Sequence, residues 1–179
     1  MNKENINSDR TKELYRLSVL IKQIDNAIQK SRENELRKFG ITPEQAAALI
    51  CIRSLGDKAT SAEISRWLFR DESSNLVMIR RMIKQGLIVK KADRNNKHII
   101  KIKLTSKGLT AYKNAISFLA LTNIFDCLTE SRKKQLNSIL NIIRNRAFDV
   151  LNLDVKTYSG LFSDALIIEK HDSTADEKE

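Results

Sequence analysis

From Thr11 to about Lys38, apolar residues fall at Leu14, Leu17, Ile21, Ile24 and Ile28. Steps of three and four residues draw a narrow stripe along one face of a helix. A stripe this regular, flanked by charges, packs against another helix, often one from a partner chain. Gly40 ends it. Thr42-Pro43-Glu44-Gln45 then opens a second helix. Thr42 can cap, Pro43 suits the first helical position, and Gln45 can reach back to the cap. The apolar run from Ala46 to Leu55 makes this a short buried helix that stops near Gly56, with Asp57 and Lys58 in its turn.

Thr60-Ser61-Ala62-Glu63 has the spacing of a capping box, and Ile64, Trp67 and Leu68 supply that helix's inward face. After a turn around Arg70 to Glu72, another helix is predicted from roughly Ser73 to Gln85. Ser73 stands at its start, and Gly86 sits where a left-handed C-terminal cap belongs. Two short capped helices joined by a tight turn, the second rich in arginine, outline a helix-turn-helix. The period then changes. Leu87 to Lys91 reads as a strand and Ala92 to Lys97 as a polar turn. Between His98 and Leu104, Ile100, Ile102 and Leu104 alternate with Lys101 and Lys103. That two-residue period predicts a half-buried strand with its lysines in solvent. A β-hairpin directly after a helix-turn-helix is the wing of a winged helix.

Thr105 caps a predicted long helix from Ser106 to about Cys127, apolar on more than one face (Leu109, Tyr112, Ile116 and Leu119, with Phe118, Leu121 and Phe125 elsewhere). Thr129-Glu130 opens a last helix to Val150, with Leu136, Ile139, Leu140, Ile143 and Ala147 on one side. A helix with too much apolar surface for one side needs burial on both, which argues for a subunit interface. The expected fold is mainly α with a small β-hairpin wing. A winged-helix DNA-binding domain spans 40–105, and a helical dimerisation region combines 1–39 with 106–151. A C-terminal extension over 152–179 holds a short helix around Leu161 to Ile168 and an acidic tail.

Composition sharpens this picture. One proline and five glycines in 179 residues suit long helices and disfavour a loop-rich β architecture. Two cysteines, Cys51 and Cys127, suit a reducing compartment, and the polar amino terminus lacks a secretory core. No apolar run approaches a membrane span. The expectation is a cytoplasmic protein with no membrane partner. The net charge of +10 is concentrated: between Thr60 and Gly108, twelve Lys/Arg face four acids. From Asn152 onward the balance reverses, with seven acids against three bases. Positive charge gathered on one segment is the footprint of a polyanion-binding module. Enzyme chemistry finds little support, because there are only two histidines, His98 and His171, and no metal-ligand spacing, glycine-rich phosphate loop or nucleophile motif. No cofactor is expected.

Three stretches resemble the MarR (multiple antibiotic resistance regulator) family: Ile41-Thr42-Pro43-Glu44-Gln45, Met82-Ile83-Lys84-Gln85-Gly86-Leu87-Ile88, and Leu104-Thr105-Ser106-Lys107-Gly108. The similarity covers about Leu14 to Val150. It implies a homodimer joined by its terminal helices, each subunit placing a recognition helix in the major groove and a wing beside it. It also implies a ligand-responsive repressor of a pseudo-palindromic operator, with a small aromatic or phenolic effector. Gly56 to Arg70 further resembles members associated with reductive dehalogenase genes in anaerobic bacteria. Two departures stand out. The family's Asp-x-Arg pair in the wing aligns with Asn96 and His98, with Arg94 and Lys97 nearby as substitute charges. Where the family tends to have an apolar residue, then Thr and Arg, this chain has Asn75, Leu76 and Val77. Either Asn75 points at bases, or Leu76 and Val77 contact thymine methyls.

The expected DNA contacts are therefore Ser73, Ser74, Asn75, Val77, Arg80, Arg81 and Lys84 on the recognition helix. Arg94, Asn95, Lys97 and His98 are the expected contacts of the wing. Tyr15, Trp67 and Phe118 are candidates for lining an effector cavity, although aromatics serve cores first. Buried cysteine behaves as a small hydrophobe unless its thiolate is stabilised, and neither cysteine has an obvious basic neighbour. The competing expectation is a winged-helix dimer that acts mainly through protein–protein contacts, its altered wing reflecting lost DNA contacts.

Overall fold

The structure, a computed structural model, describes residues 3–93 and 96–154. Arg94, Asn95 and the helix expected around Leu161 to Ile168 lie outside the described residues. The chain opens with α1 (Lys3–Leu36), a single helix of 34 residues and about 50 Å long. It ends in a 3-10 turn, Arg37–Phe39, closed by Gly40 at φ +68°. Next come α2 (Pro43–Leu55), α3 (Ser61–Trp67) and α4 (Glu72–Lys84). A hairpin of β1 (Ile88–Ala92) and β2 (Ile100–Leu104) follows, then α5 (Ser106–Ala115), α6 (Leu119–Phe125) and α7 (Glu130–Val150).

The core gathers around α2, which packs on α5, α3, β2 and α1. Leu36, Leu49, Ile64, Ile79, Met82, Ile88 and Ile102 are fully buried there. The expected capping box of α2 forms in both directions: the Gln45 amide N–H donates to Thr42 Oγ1, and the Thr42 N–H donates to Gln45 Oε1. The second box forms only by half. Thr60 Oγ1 accepts the Glu63 N–H, but the Glu63 carboxylate pairs with Arg66 instead of returning to the cap.

The hairpin is antiparallel, registered Ile88 to Leu104 through Ala92 to Ile100. Ile102 is its buried centre, and its N–H donates to Ala59 O at 2.8 Å, fastening the wing to the helices. Ile100, expected inward, is 44% exposed. The stretch Leu104 to Gly108 has a clear physical job. Thr105 Oγ1 caps α5 at Gly108 N and donates back to Gly86 O at 2.6 Å. A Cβ on Gly108 would lie 1.9 Å from Leu87 O, so only glycine lets α5 approach the backbone just before β1 this closely.

The helix expected from Ser106 to Cys127 is broken. Ile116, Ser117 and Phe118 leave the helix, and Phe118 takes the left-handed conformation at φ +48°. The cause lies in α1, not in the segment itself. Arg32 and Glu35 form an ion pair of 2.7 Å whose side chains are each 8% exposed. Arg32 Nη2 donates to Ala115 O at 2.7 Å and so closes α5; its guanidinium lies over the Phe118 ring. The Glu35 carboxylate accepts the Leu119 and Ala120 N–H groups and the Ser117 hydroxyl, and so opens α6. One turn of α1 caps both ends of the break. The break does not bury the whole apolar surplus: Leu109 and Leu119 remain exposed.

Candidate nucleic-acid interface

Helix α4 divides cleanly into two faces. Asn75, Met78, Ile79 and Met82 are buried, while Ser73, Ser74, Val77, Arg80, Arg81 and Lys84 are exposed. The residue at its start is not Ser73. Asp71 is the cap, with Oδ1 accepting the Ser74 N–H at 2.8 Å and the Ser73 hydroxyl at 2.6 Å. These two hydrogen bonds hold the Asp71 carboxyl well below the usual carboxylate range. An ionised carboxylate therefore already occupies the positive end of the helix.

Asn75 is also corrected. It is 0% exposed, and its Nδ2 donates to Ser61 O at 2.9 Å and Ser65 Oγ at 2.7 Å. Its side chain faces α3 and cannot reach DNA from there. Sequence reasoning placed it at the start of the helix, where contacts concentrate, and could not see that its angular position is inward. One basic residue lies outside the expected contacts. Arg70, just before α4, joins Ser74, Val77 and Arg81 in lining an open cleft of about 420 Å³ against Glu44 and Gln45 of α2 and its cap Thr42.

The basic surface is now separable into used and unused charge. Arg66 is paired with Glu63, Lys101 with Asp93 and Lys103 with Asp57. Arg70, Arg80, Arg81, Lys84, Lys90, Lys91 and Lys97 are exposed and carry no ion pair among the described residues. These seven cluster on α4, on the hairpin or just before α4; other exposed cations without an ion pair among the described residues, such as Arg16 and Lys134, lie on the terminal helices.

The strand lysines do not simply face water. Lys101 Nζ is 3.1 Å from Asp93 Oδ2 and also donates to Asp57 O; Lys103 Nζ donates to Asp57 Oδ1 at 2.7 Å. The hydrogen bond and charge of Lys103 lower the pKa of Asp57. At the hairpin's tip, Asp93 Oδ1 accepts the Asn96 N–H and Asn96 Oδ1 accepts the His98 N–H. Asn96 thus serves the turn, and the exposed Lys97 and His98 remain available. Asp57 ties the wing to the turn after α2. Asp57→Ala is expected to leave the melting temperature nearly unchanged, since exposed pairs contribute little. It should make trypsin cut severalfold faster at Lys97; an unchanged cleavage rate would show that Asp57 does not restrain the wing.

The three effector candidates are not brought together within one chain. Tyr15 is 70% exposed on α1, whereas Phe118 lies under Arg32. Seventeen residues of helix separate Tyr15 from Arg32, roughly 25 Å. Trp67 packs on the core at the end of α3. Of the cysteines, Cys51 is buried, and burial, aided by the charge of Glu63, pushes its thiol far above the usual range. Cys127 is exposed, and its Sγ donates to Ile124 O at 3.3 Å.

Along α1, Leu14, Leu17, Ile21 and Ile24 are about half exposed; along α7, so are Ile139, Leu140 and Ile143. Both predicted stripes exist, and among the described residues neither is covered. Among the described residues, no helix is long and apolar enough to cross a membrane, and no group of His, Cys, Asp and Glu has the arrangement of a metal site.

The winged helix DNA-binding domain family matches residues 41–108. No curated protein sequence matches significantly. Among solved structures, the organohalide-sensing RdhR transcriptional regulator bound to 2,4-dichlorophenol is 28% identical, with a TM-score of 0.69 over 76% of this chain and 82% of that one. A mutant MarR from E. coli complexed with operator DNA superposes with a TM-score of 0.67 at 21% identity, covering 73% of this chain and 95% of that one. The MepR–DNA complex of S. aureus gives 0.65 at 20% identity, covering 73% and 97%.

Proposed function

We propose that this chain, a winged-helix DNA-binding protein of the MarR type, is a cytoplasmic transcriptional repressor that grips duplex DNA as a homodimer and releases it on binding a small aromatic ligand. The observation that carries this reading is the cluster of seven cations, without an ion pair among the described residues, on and beside α4 and the hairpin, together with the two apolar stripes exposed on the terminal helices.

Apolar faces of this length on α1 and α7 are costly in water and are removed when a second copy supplies the complementary faces. The dimerisation region is then 1–39 with 106–151, and the DNA-binding domain 40–105. A two-fold axis through the terminal helices presents two α4 helices to successive major grooves, so the target is a pseudo-palindrome with half-sites one helical turn apart. Val77, 45% exposed and flanked by Ser74 and Arg81, is suited to a thymine methyl. Arg70, Arg81 and Lys84 are suited to phosphates, and Lys97 and His98, with Arg94 and Asn95, to the minor groove. The effector class rests on the likeness to the RdhR regulator, whose structure holds 2,4-dichlorophenol.

A mobility shift with the duplex upstream of the chain's own gene, against a shuffled duplex of equal composition, tests the reading. Selective retardation by a protein that sediments as a dimer is expected, with release by 2,4-dichlorophenol. Ile21→Glu in the stripe should yield monomer and abolish the shift. A dimer that retards both duplexes equally, or neither, would leave the winged helix as a protein-contact module.

A further inference from the structure

We infer that Asn75 is a positioning residue for DNA recognition, its amide fixing the angle of α4 against α3 without touching the nucleic acid; this rests on the DNA-binding reading above. The amide is fully buried, and both of its N–H groups are spent on α3, at Ser61 O and Ser65 Oγ. Its Oδ1 is buried with no hydrogen-bond partner among the described residues. The amide cannot turn over to relieve that oxygen, because Oδ1 would then face the Ser61 carbonyl.

An orphaned buried acceptor weakens a fold, and satisfaction of its neighbours does not explain its presence. Ser65 Oγ already donates to Ser61 O at 3.1 Å, so removing the Asn75 amide leaves neither serine unpaired. An apolar residue of the same shape would serve the core as well or better. What the amide alone supplies is direction. Apolar side chains tolerate small rotations of a helix, whereas two hydrogen bonds to one turn of α3 define a single register. The outward residues Ser74 and Val77 flank Asn75 closely on α4, so a rotation of that helix moves both across the base edges. Asn75 is thus placed to convert helix packing into base selectivity.

The experiment compares wild type, Asn75→Leu, Ser65→Ala and the double variant. Each is titrated with a fluorescent duplex selected by the wild-type protein from a random library. Asn75→Leu is expected to melt no lower than wild type yet bind the selected duplex at least about tenfold more weakly, the loss of one misplaced base contact. Ser65→Ala should fall between them, and the double variant should match Asn75→Leu. Binding within twofold of wild type by a folded Asn75→Leu, or additive losses in the double variant, would overturn the inference. Hydrogen exchange on the free protein supplies a readout independent of DNA: α4 amides should exchange faster in Asn75→Leu at equal global stability. If wild type selects no sequence, the DNA-binding reading fails by itself, and unchanged exchange in α4 is then the result that overturns the role of Asn75.

Discussion

Affinity for duplex DNA is expected to fall by about a thousandfold or more when salt rises from 50 to 200 mM. Each neutralised phosphate releases condensed counterion, so the logarithm of the binding constant declines linearly with the logarithm of salt concentration, by about 0.9 per phosphate contacted. Arg70, Arg80, Arg81, Lys84, Lys90, Lys91 and Lys97 are exposed and unengaged among the described residues. If roughly three of these seven per subunit meet phosphates, a dimer makes about six contacts, and the slope approaches −5. Arg81→Ala should reduce the slope by about two, one for each subunit, and weaken selected and shuffled duplexes alike. Val77→Ala should leave the slope intact and narrow the gap between the two duplexes. Anisotropy titrations at four salt concentrations separate the cases. A slope near zero for wild type would remove the phosphate contacts, and with them the assignment of this face.

The winged helix was legible because its signals are local. Thr42, Thr60 and Thr105 cap where their spacing says they should, Gly86 takes its left-handed cap at φ +73°, and the change of period at Leu87 marks the hairpin. The residues misread are those whose roles are set from a distance. Asn75 follows two exposed serines in sequence, and only the rotation of α4 against α3 shows that it points inward. Lys101 and Lys103 alternate correctly with isoleucines, but Asp57 and Asp93, from outside the strand, decide that they are held. The break at Ile116–Phe118 has no local signal whatever. That segment holds neither proline nor glycine, and its residues are middling helix formers that do not by themselves end a helix. The information that interrupts it sits more than eighty residues earlier, at Arg32 and Glu35.

Glu35→Gln is expected to destabilise the fold by on the order of 3 kcal/mol, because it strips a buried guanidinium of its counter-charge. The geometry explains why so small a change should cost so much. Glu35 receives four donors: the Ser117 hydroxyl and Leu119 N–H on Oε1, and the Ala120 N–H and Arg32 Nη1 on Oε2. A glutamine keeps one oxygen and turns an NH₂ group toward two donors, so whichever way it is placed, two of the four lose their acceptor. Glu35→Asp keeps the charge but shortens the reach, and should fall between. The pH dependence gives a sharper check. Burial raises the pKa of Glu35, but the hydrogen bonds from Ser117, Ala120 and Arg32 and the arginine's charge outweigh it, so the net shift is downward. A depressed carboxylate contributes stability above its unfolded pKa and loses it as pH falls through the folded value. The difference in melting temperature between wild type and Glu35→Gln should therefore be full at pH 7 and shrink on acidification below the ordinary carboxylate range. A constant gap from pH 7 to pH 3 would mean that the charge of Glu35 does not sustain the clamp. No gap at all would mean that α5 and α6 stay apart without it.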